Sequence, residues 1–545
     1  MSIFQRKPLQ VLLDQSKESG EHTLKKTLGS YKLIALGLGA IIGAGLFSIT
    51  GMAAGLYAGP AITVSFIIAA AGCCFAGLCY AEFASMLPIA GSAYTYSYAT
   101  LGEFIAWVIG WDLVLEYAVG ALTVSISFSA YFVKFLEGFG IHLPHAITAC
   151  PMDGGIANLP SALVVILLSF LLISGTESSS KVNSVIVALK VAVVLIFIGI
   201  GWQFINTDNY VPYIPENTGT WGSFGFSGII RGAAIVFFAF IGFDAVSTAA
   251  QETKNPKRDM PVGILGALII CTVLYVLFSH VLTGVANYTQ FQGSTGIAPI
   301  AVAIENMGTA LPDGTIQPAF PWLNKAIILA ILAGYSSVVL VMLLGQSRIF
   351  YTMSRDGLLP KMFSQVHKKF RTPYKSNLLF LVAISILAMF VPARVAGELT
   401  SIGTLFAFII VCMGILVMRK KMPDAPRAFR TPWVPAIPVL GIGICLFMMV
   451  FLPFDTWIRL ILWMLLGHNI YTFYGSKHSK LGGSHSVLIL PAIGISIAVL
   501  LAGFTVVHQM QTGWHENSGF AFTLLVIAVA HIVLYGIKIM NKQRK

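Results

Sequence analysis

Long apolar runs without charged residues recur along almost the whole of this 545-residue chain. A helix needs about 20 mostly apolar residues to cross the hydrocarbon core of a membrane. Only 10% of the residues are charged and the mean hydropathy is +0.82, whereas roughly a quarter of the residues in a soluble domain are charged. These features predict a protein that crosses the membrane many times.

From these runs we predict fourteen transmembrane helices. Their approximate bounds are 33–57, 62–86, 103–131, 161–178, 183–205, 228–250, 262–285, 324–347, 376–392, 398–418, 434–453, 456–474, 485–508 and 518–540. The charged start of the chain has too short an apolar stretch for a secretory signal peptide. We therefore expect residues 1–32 to remain as an N-terminal tail and residues 541–545 to form the C-terminal end.

The formal charge of +12 follows a pattern along the chain. With the N-terminus inside, 28 of the 34 lysines and arginines fall in the tail, in the inner loops and at the C-terminal end. This bias is the one described by the positive-inside rule. The sequence thus predicts a multi-pass protein of the plasma (inner) membrane with cytoplasmic N- and C-termini. The basic charge reports topology, and we expect no nucleic-acid partner.

The residues that usually mark an enzyme or a metal site are scattered. Six of the seven cysteines lie in predicted helices, with only Cys150 in an outer loop, and the histidines show no ligand spacing. No loop is long enough for a separate enzymatic domain. Outside the lipid we find no nucleophile–base pair, metal cluster or nucleotide motif. We predict no enzymatic activity, no metal and no cofactor, so the function must lie among the helices.

Glycines interrupt the first and the sixth predicted helices. Gly43 and Gly45 lie near the middle of the first, and Gly242 lies near the middle of the sixth. Other glycines of the first helix, such as Gly51 and Gly55, have the small-xxx-small spacing of close helix packing, and spacing alone leaves both interpretations open. Two interrupted helices five helices apart predict a transporter built from two inverted five-helix repeats, with its site at the breaks.

A helix that breaks in mid-membrane has a particular chemistry. It exposes backbone N–H groups at the start of its second half and carbonyl groups at the end of its first half. The N–H end suits a carboxylate, and the carbonyl end suits an ammonium group or a cation. One site with both is shaped for the α-amino and α-carboxylate groups of an amino acid. Glycine at positions 43 and 45 would let the ligand approach the bare backbone directly.

Three acidic residues lie deep in the predicted helices. Asp112 and Glu116 are four residues apart and share a face of the third helix, and Asp244 follows the break in the sixth. An ionised group at the bilayer centre costs about 3 kcal/mol or more and normally faces the interior of the helix bundle. Two interpretations are open: these acids pair or hydrogen-bond with other helices, or they contact the ligand.

Lys190 lies seven residues inside the fifth predicted helix, too deep to reach the membrane surface easily. It is either a fixed counter-charge to one of the acids or a titratable amine that loads and releases a proton. Ser336 and Ser337 on the eighth helix either hydrogen-bond between helices or help to coordinate a cation. These residues are the candidate coupling site.

Five ordered motifs carry a family resemblance. They are "LGLGAIIGAGLF", "YAEFASMLPIAGSAYTYSYATLGE", "GWDLVLEYAVGA", "FFAFIGFDAVSTAAQETKNPKRDMP" and "GQSRIFYTMSRDGLLP". Between about Leu24 and Arg430 the chain resembles the amino acid–polyamine–organocation (APC) superfamily, most closely its bacterial permeases of the cationic-amino-acid-transporter branch. The resemblance implies an all-α 5+5 inverted-repeat fold with a ten-helix transport core at 33–418, in repeats 33–205 and 228–418. Four peripheral helices would follow at 434–540.

The resemblance also implies a substrate site at the two breaks. The substrate carboxylate would meet the backbone of the first break, and the amino group would meet carbonyl groups at the ends of both first halves. A phenylalanine of the sixth helix, Phe240 or Phe243, would close the site from outside. The implied substrate-binding residues are Ile41, Gly43, Ala44, Gly45, Glu116, Phe240, Ile241, Gly242, Phe243 and Tyr335.

For coupling, Lys190 matches the fifth-helix lysine of proton-coupled relatives. In those relatives it occupies the place of the sodium ion that sodium-coupled members bind between the first and eighth helices. Ser336 and Ser337 match the hydroxyl positions of that cation site. The resemblance therefore implies the proton as coupling ion and makes sodium the less favoured choice.

Two departures from the family bear on the substrate. Many relatives have Thr or Ser where this chain has Ala44, and Tyr335 is bulky for a pocket that takes a long side chain. These departures favour small or medium neutral amino acids, while Glu116 keeps a cationic substrate open. We predict a proton-coupled amino acid permease, a symporter that works by alternating access.

Two alternatives stay open at this point. One is a permease for cationic amino acids or polyamines, or an exchanger without proton coupling. The other is a membrane amino-acid sensor that binds its ligand without moving it. The expected partners are the amino acid and the lipid bilayer, and helices eleven to fourteen leave open a small accessory membrane protein.

Overall fold

The computed structural model of the protein describes residues 5–12, 28–43, 45–89, 91–174, 176–250, 253–292, 299–310, 316–367, 370, 372–481, 489–512 and 518–543. The predicted carboxylate-binding residue Ala44 lies outside the described residues. The described chain is almost entirely helical, as expected for backbone that must satisfy its hydrogen bonds inside lipid. Two short strands, Gly308–Ala310 and Ile316–Pro318, pair antiparallel between the seventh and eighth spans.

Each of the fourteen predicted transmembrane helices coincides with a helix or a short series of helices, which we number as spans 1 to 14. Spans 1, 6 and 12 are composite. The others are Ile62–Met86, Glu103–Glu137, Leu159–Ser174, Thr176–Gly201, Pro256–Val285, Pro321–Arg355, Tyr374–Phe390, Ala393–Lys421, Ala436–Val450, Ile489–Thr512 and Ser518–Gln543. Within the described ranges, nine continuous helical segments are each long and apolar enough to cross a membrane alone.

Span 1 is broken in the middle, as predicted. Its first half is the α-helix Ser30–Ile41, which ends where Ile42 becomes extended, with φ −73° and ψ 104°. Helical structure resumes after Gly43 with the π-helix Gly45–Ile49, and it continues through Thr50–Ala53 to the π-helix Ala54–Ala58. The N–H groups of Leu46 and Phe47 both donate to the carbonyl oxygen of Gly43.

Span 6 is broken as well. The α-helix Gly225–Val236 tightens into the 3-10 helix Phe237–Phe240, and Ile241 leaves the helix with ψ 136°. Gly242 has φ +111°, a conformation that L side chains rarely adopt, so a glycine is needed where the chain turns. One further helical turn follows at Ala245–Thr248. The two predicted discontinuous helices are therefore confirmed.

The two halves of the core pack as an inverted repeat would require. Span 2 packs along span 7, span 3 along span 8, and span 4 along span 9. Each of these pairs joins helices that occupy equivalent places in the two halves and cross the membrane in opposite directions. This is the arrangement of the 5+5 inverted-repeat fold, and it brings both broken spans to the centre of the bundle.

Spans 11 to 14 lie beside this core. Span 11 meets span 12, which comprises Phe454–Ile470, Tyr471–Gly475 and Ser476–His478, at an angle of 113°. Span 12 is fastened to span 3 by two tryptophans: the indole N–H groups of Trp111 and Trp463 each donate to the other's backbone carbonyl, at 2.9 and 3.0 Å. Their rings stack with centroids 4.5 Å apart. The peripheral helices are thus anchored on a core helix.

The face that carries residues 5–12 is called the inner face, the one that the charge distribution predicts to be cytoplasmic. Residues 5–12, expected to be part of a tail, pack on it. The Lys7 amine donates to Asp356 at 2.7 Å, and the Glu103 N–H donates to the Gln5 carbonyl at 2.9 Å. Leu12 is only 1% exposed. The start of the chain is therefore attached to spans 3 and 8.

Candidate functional site

The two breaks cross each other at the centre of the core. A Cβ atom at Gly45 would lie 2.2 Å from the Cα atom of Ala239, and one at Gly242 would lie 2.9 Å from the Cβ atom of Ala40. Side chains at these positions would push the two spans apart. The predicted glycines of both breaks therefore allow the backbones of spans 1 and 6 to touch.

A narrow cavity lies against this crossing. One wall comes from the broken spans and the opposite wall from spans 3, 8 and 10. Its lining residues are Ala40, Ile41, Gly43, Gly45, Gly120, Val124, Phe238, Ile241, Val338, Met342 and Thr400. Apart from the backbone, Thr400 brings the only polar side-chain group among these described lining residues. The cavity thus has the glycine-containing break of span 1 on one side and, apart from Thr400, an apolar wall on the other.

Four predicted residues lie in this lining: Ile41, Gly43, Gly45 and Ile241. The carbonyl oxygen of Ile41, predicted to meet the amino group of the substrate, accepts a hydrogen bond from the Tyr275 hydroxyl at 2.9 Å. The same hydroxyl lies 2.9 Å from the carbonyl oxygen of Ala239. Tyr275 of span 7 therefore bridges the first halves of both broken spans, next to the place where an ammonium group would sit.

Lys190 of span 5 lies against the first half of span 1. The side chain is 1% exposed, and its amine donates to the carbonyl oxygens of Gly39 at 2.7 Å and Ile42 at 2.9 Å. These carbonyls belong to the end of the first half of span 1, which leaves carbonyl groups unpaired. Lys190 thus caps the broken helix and hydrogen-bonds to backbone, not to one of the buried acids.

The two serines of span 8 differ in their contacts. The Ser337 hydroxyl donates to the side-chain carbonyl of Asn183 on span 5. A Cβ atom at Gly39 would lie 3.2 Å from the amide nitrogen of Asn183, so this pair borders the Lys190 region. The Ser336 hydroxyl bonds back to the Leu332 carbonyl of its own helix at 2.9 Å. Ser337 therefore makes the predicted contact between helices, and Ser336 does not.

The three buried acids form a separate group beside the cavity. Asp112, Glu116 and Asp244 are all 0% exposed. Asp244 accepts a hydrogen bond from the Tyr117 hydroxyl, and Asp112 faces span 10, where a Cβ atom at Gly403 would lie 3.3 Å from its Oδ1. Glu116 does not belong to the cavity lining. The structure thus places the acids between spans 3, 6 and 10 instead of against the cavity.

Tyr335 closes the cavity from the outer side instead of lining it. Its hydroxyl shares a hydrogen bond with Ser48 at 2.8 Å, and its ring contacts those of Phe47 and Tyr131. The Tyr131 hydroxyl donates to the Phe47 carbonyl at 2.6 Å. We call Phe47, Ser48, Tyr131 and Tyr335 the outer layer. All four are buried, with Ser48 the most exposed at 6%.

The expected closing phenylalanines lie elsewhere. The Phe240 ring packs against Phe66 and Tyr275, and the Phe243 ring packs against Tyr80 and Phe408. Both rings pack toward spans 2, 7 and 10, and neither lines the cavity. The ring from this segment that lines the cavity is Phe238.

On the inner side a second, larger cavity opens between spans 1, 5, 6 and 8. We call it the inner vestibule. Its lining residues are Leu28, Lys32, Leu36, Asn183, Ser184, Ala245, Thr248, Ala249, Leu340, Val341, Leu344, Gly345 and Arg348. Along span 1 it ends about one helical turn below the central cavity, since Leu36 lines the vestibule while Ala40 lines the cavity, whereas along span 8 the two linings overlap at Leu340 and Met342.

Several contributors were missed from the sequence. Tyr275 and Asn183 are polar groups inside apolar runs, and intramembrane polarity is a signal that could have found them. Gly120 and Met342 carry no comparable signal, because glycine and methionine are ordinary in membrane helices. Their place in the cavity wall depends on how span 3 packs against span 8.

Comparison with known proteins gives a consistent family assignment. The family model described as amino acid permease matches residues 28–470. The chain is 44% identical to the branched-chain amino acid permease BcaP of Bacillus subtilis, over 88% of this chain and 99% of that protein. It is 42% identical to the methylthioribose transporter of Bacillus subtilis, again over 88% and 99%.

A plant protein is also similar over most of its length. The chain is 31% identical to the vacuolar cationic amino acid transporter 4 of Arabidopsis thaliana, over 86% of this chain and 94% of that protein. The similar proteins thus carry names with three kinds of substrate, while their shared family is that of amino acid permeases.

Proposed function

Since the chain belongs to the amino acid permease family and is a multi-pass membrane transporter, not an enzyme, we propose that it takes up small or medium neutral L-amino acids together with protons. The cavity at the crossing of the two broken spans is the observation that carries this proposal. Its backbone-lined wall suits the amino and carboxylate groups common to all amino acids. Its opposite wall therefore decides which side chains are accepted.

That opposite wall favours neutral, apolar side chains. It consists of Gly120, Val124, Val338, Met342 and Thr400, none of which is charged. A cationic side chain buried there would lose its hydration without gaining a carboxylate partner, which is costly. The name of the bacterial relative at 44% identity, a branched-chain amino acid permease, points the same way.

The proposal for proton coupling rests on Lys190. Its amine holds the carbonyl oxygens of Gly39 and Ile42, so its charge stabilises the end of the helix Ser30–Ile41. When the amine loses its proton, it has one N–H donor fewer and no positive charge, so it binds these two carbonyl oxygens more weakly. The position of the first half of span 1 would then depend on the proton, which would couple the proton to alternating access.

The remaining assignments complete the proposal. Residues 33–418 form the transport core, in repeats 33–205 and 228–418, and residues 434–540 form four peripheral helices. The protein lies in the plasma membrane with both termini in the cytoplasm, because the lysines and arginines are concentrated on that side. The coupling ion is the proton, with sodium as the less favoured choice.

Uptake into proteoliposomes tests the proposal. Purified protein is reconstituted, and the uptake of labelled alanine, leucine, isoleucine and arginine is measured with and without an imposed pH gradient. We expect alanine and leucine to accumulate when the lumen is alkaline, and arginine neither to accumulate nor to compete. Transport of arginine alone would contradict the neutral pocket.

Other results would select one of the alternatives. Accumulation only when the lumen is preloaded with amino acid indicates an exchanger. Binding without accumulation under any gradient indicates a sensor that does not translocate its ligand. Each of these outcomes leaves the family assignment intact and overturns the proposed mechanism.

A variant tests the role of Lys190. Lys190→Ala should abolish the uptake that is driven by the pH gradient, because the variant has no amine to carry the proton. Lys325→Ala is the matched control: Lys325 is an exposed lysine of span 8 that lies over the Phe139 ring. If Lys190→Ala keeps gradient-driven uptake at the level of Lys325→Ala, Lys190 is only structural.

A further inference from the structure

Three glycines line the central cavity, and they differ in how much room they leave. A Cβ atom at Gly43 would lie 2.8 Å from the Val338 side chain, and one at Gly45 would lie 2.2 Å from the backbone of Ala239. Neither position accepts a side chain unless its neighbours move. Gly45 is therefore required by the crossing of the broken spans, and Gly43 by the close approach of span 8.

Gly120 of span 3 is different. A Cβ atom there would lie 3.5 Å from Met342 Sδ and 3.6 Å from Thr400 Cγ2. These are ordinary van der Waals distances, so an alanine fits at position 120 in the folded protein. The absence of a side chain at Gly120 is thus not required by packing, and it leaves the volume of a methyl group to the cavity.

The direction of a bound substrate follows from the two walls. Under the proposed function, on which this step rests, the amino and carboxylate groups of the substrate sit at the breaks of spans 1 and 6. Its side chain must then extend toward spans 3, 8 and 10, where Gly120, Met342 and Thr400 meet. The space beside Gly120 is where the terminal atoms of a longer substrate side chain would lie.

We propose that Gly120 sets the upper size limit for the side chain of the transported amino acid. With glycine at this position the cavity admits branched or longer apolar side chains. A methyl group at the same position takes their space and leaves room for the small side chains. Gly120 is a specificity-determining residue, and its effect is on the size of the substrate, not on its amino or carboxylate groups.

Gly120→Ala tests this proposal. Initial rates of alanine, valine, leucine and isoleucine uptake give kcat/KM for each substrate in the parent and in the variant. We expect the ratio of kcat/KM for leucine to that for alanine to fall by about 10-fold or more, the usual effect of about one methylene group in a tight pocket. The loss should appear mainly as a higher KM for leucine, with alanine uptake kept.

A second glycine gives the matched control. Gly397 of span 10 also faces span 3, but a Cβ atom there would lie 3.9 Å from Thr123 Cγ2, and Gly397 is outside the cavity lining. Gly397→Ala should leave the leucine-to-alanine ratio unchanged. An equal loss for all substrates in Gly120→Ala would assign the residue a structural role, and an unchanged ratio would show that the side chain does not reach it. Both results overturn the proposal.

Uptake by the unsubstituted protein tests the proposed function separately from this proposal. If the parent takes up only cationic amino acids, the neutral substrate is wrong, and the size ratio is measured with lysine against 2,3-diaminopropionate. A fall of that ratio in Gly120→Ala still supports the size limit, and no change contradicts it. Failure of the substrate class and failure of the size limit are therefore seen in different measurements.

Discussion

The two sides of the central cavity are closed by different means. On the outer side, Phe47, Ser48, Tyr131 and Tyr335 form a layer of rings joined by neutral hydrogen bonds, at 2.6 and 2.8 Å. On the inner side the cavity ends, along span 1, about one helical turn from an open vestibule. This is the geometry of a transporter closed toward the outside and approached from the inside.

At the inner face, unlike in the outer layer, charged side chains hold the elements together in addition to rings. Asp356 accepts hydrogen bonds from the Lys7 amine at 2.7 Å and from the Tyr94 hydroxyl at 2.8 Å. Nearby, Glu82 is 0% exposed and binds the guanidinium groups of Arg419 and Arg427. These pairs bind residues 5–12, the end of span 10 and the loop that follows it to the core at its edge, and they leave the vestibule between spans 1, 5, 6 and 8 open.

This difference between the two sides indicates which contacts must change when the cavity closes toward the inside and opens toward the outside. The outer layer joins span 1 to spans 3 and 8, so it must separate before the cavity can open outward. The half-helices Ser30–Ile41 and Ala245–Thr248 border the vestibule and must move to close it. The ion pairs at the inner edge join parts of the scaffold and can stay in place.

Removal of the Tyr335 ring should shift the balance between the outward-closed and the outward-open state more than Asp356→Asn or Tyr335→Phe does. Tyr335→Ala deletes a fully buried ring that packs against Phe47 and Tyr131, and such a change costs about 3–5 kcal/mol. The outward-closed state loses this energy, so the outward-open state should gain population. A reporter cysteine, Thr400→Cys, should then react with a membrane-impermeant maleimide added from outside.

Two controls define this measurement. Tyr335→Ala without the reporter gives the labelling of the seven native cysteines, and Thr400→Cys alone gives the labelling of the closed state. If the reporter stays unlabelled from outside in Tyr335→Ala, the outer layer is not what closes the cavity. The contrast between the two sides would then have to be explained by another part of the molecule.

Asp356→Asn should have a smaller effect, confined to stability at the inner face. The variant removes the carboxylate that accepts from the Lys7 amine at 2.7 Å, and the loss of a charged hydrogen bond costs about 1–3 kcal/mol. We expect a lower Tm in detergent, while the outside labelling of Thr400→Cys should stay at the level of the closed state.

The matched control for Asp356→Asn is Asp208→Asn. Asp208 is exposed in an outer loop, so its replacement should change neither Tm nor labelling. An opening of the outer side in Asp356→Asn would mean that the inner ion pair also holds the outer layer closed. The closure of the outer side and the ion pair of the inner face would then be coupled instead of independent.

The features of this fold that could be predicted are those that depend on residues close together in the sequence. A membrane span needs an apolar run of fixed length, so the fourteen spans follow from the sequence itself. The breaks carry a local signal as well, because Gly43, Gly45 and Gly242 weaken a helix where they stand. Lys190 was found because a charge inside a span is rare.

The parts that could not be predicted depend on contacts between distant residues. Ser48 and Tyr335 are 287 positions apart, Ile41 and Tyr275 are 234 apart, and Lys7 and Asp356 are 349 apart. No local pattern encodes such pairs, since they depend on how spans turn about their axes and pack. For the same reason Tyr335 was expected in the pocket, and residues 5–12 were expected only as part of a tail.

Tyr335→Phe should change the free energy of the outward-closed state least of the three variants. It separates the contribution of the Tyr335 hydroxyl from that of the ring. This variant keeps the ring between Phe47 and Tyr131 and removes only the hydroxyl that bonds Ser48, a change worth about 0.5–1.5 kcal/mol. Labelling of Thr400→Cys from outside should therefore rise only slightly above the closed state and stay well below that of Tyr335→Ala. If Tyr335→Phe labels as fully as Tyr335→Ala, the hydroxyl closes the outer side and ring packing adds little. Because that single hydrogen bond joins spans 1 and 8, such a result would make Ser48→Ala equally open, which is measured in the same assay.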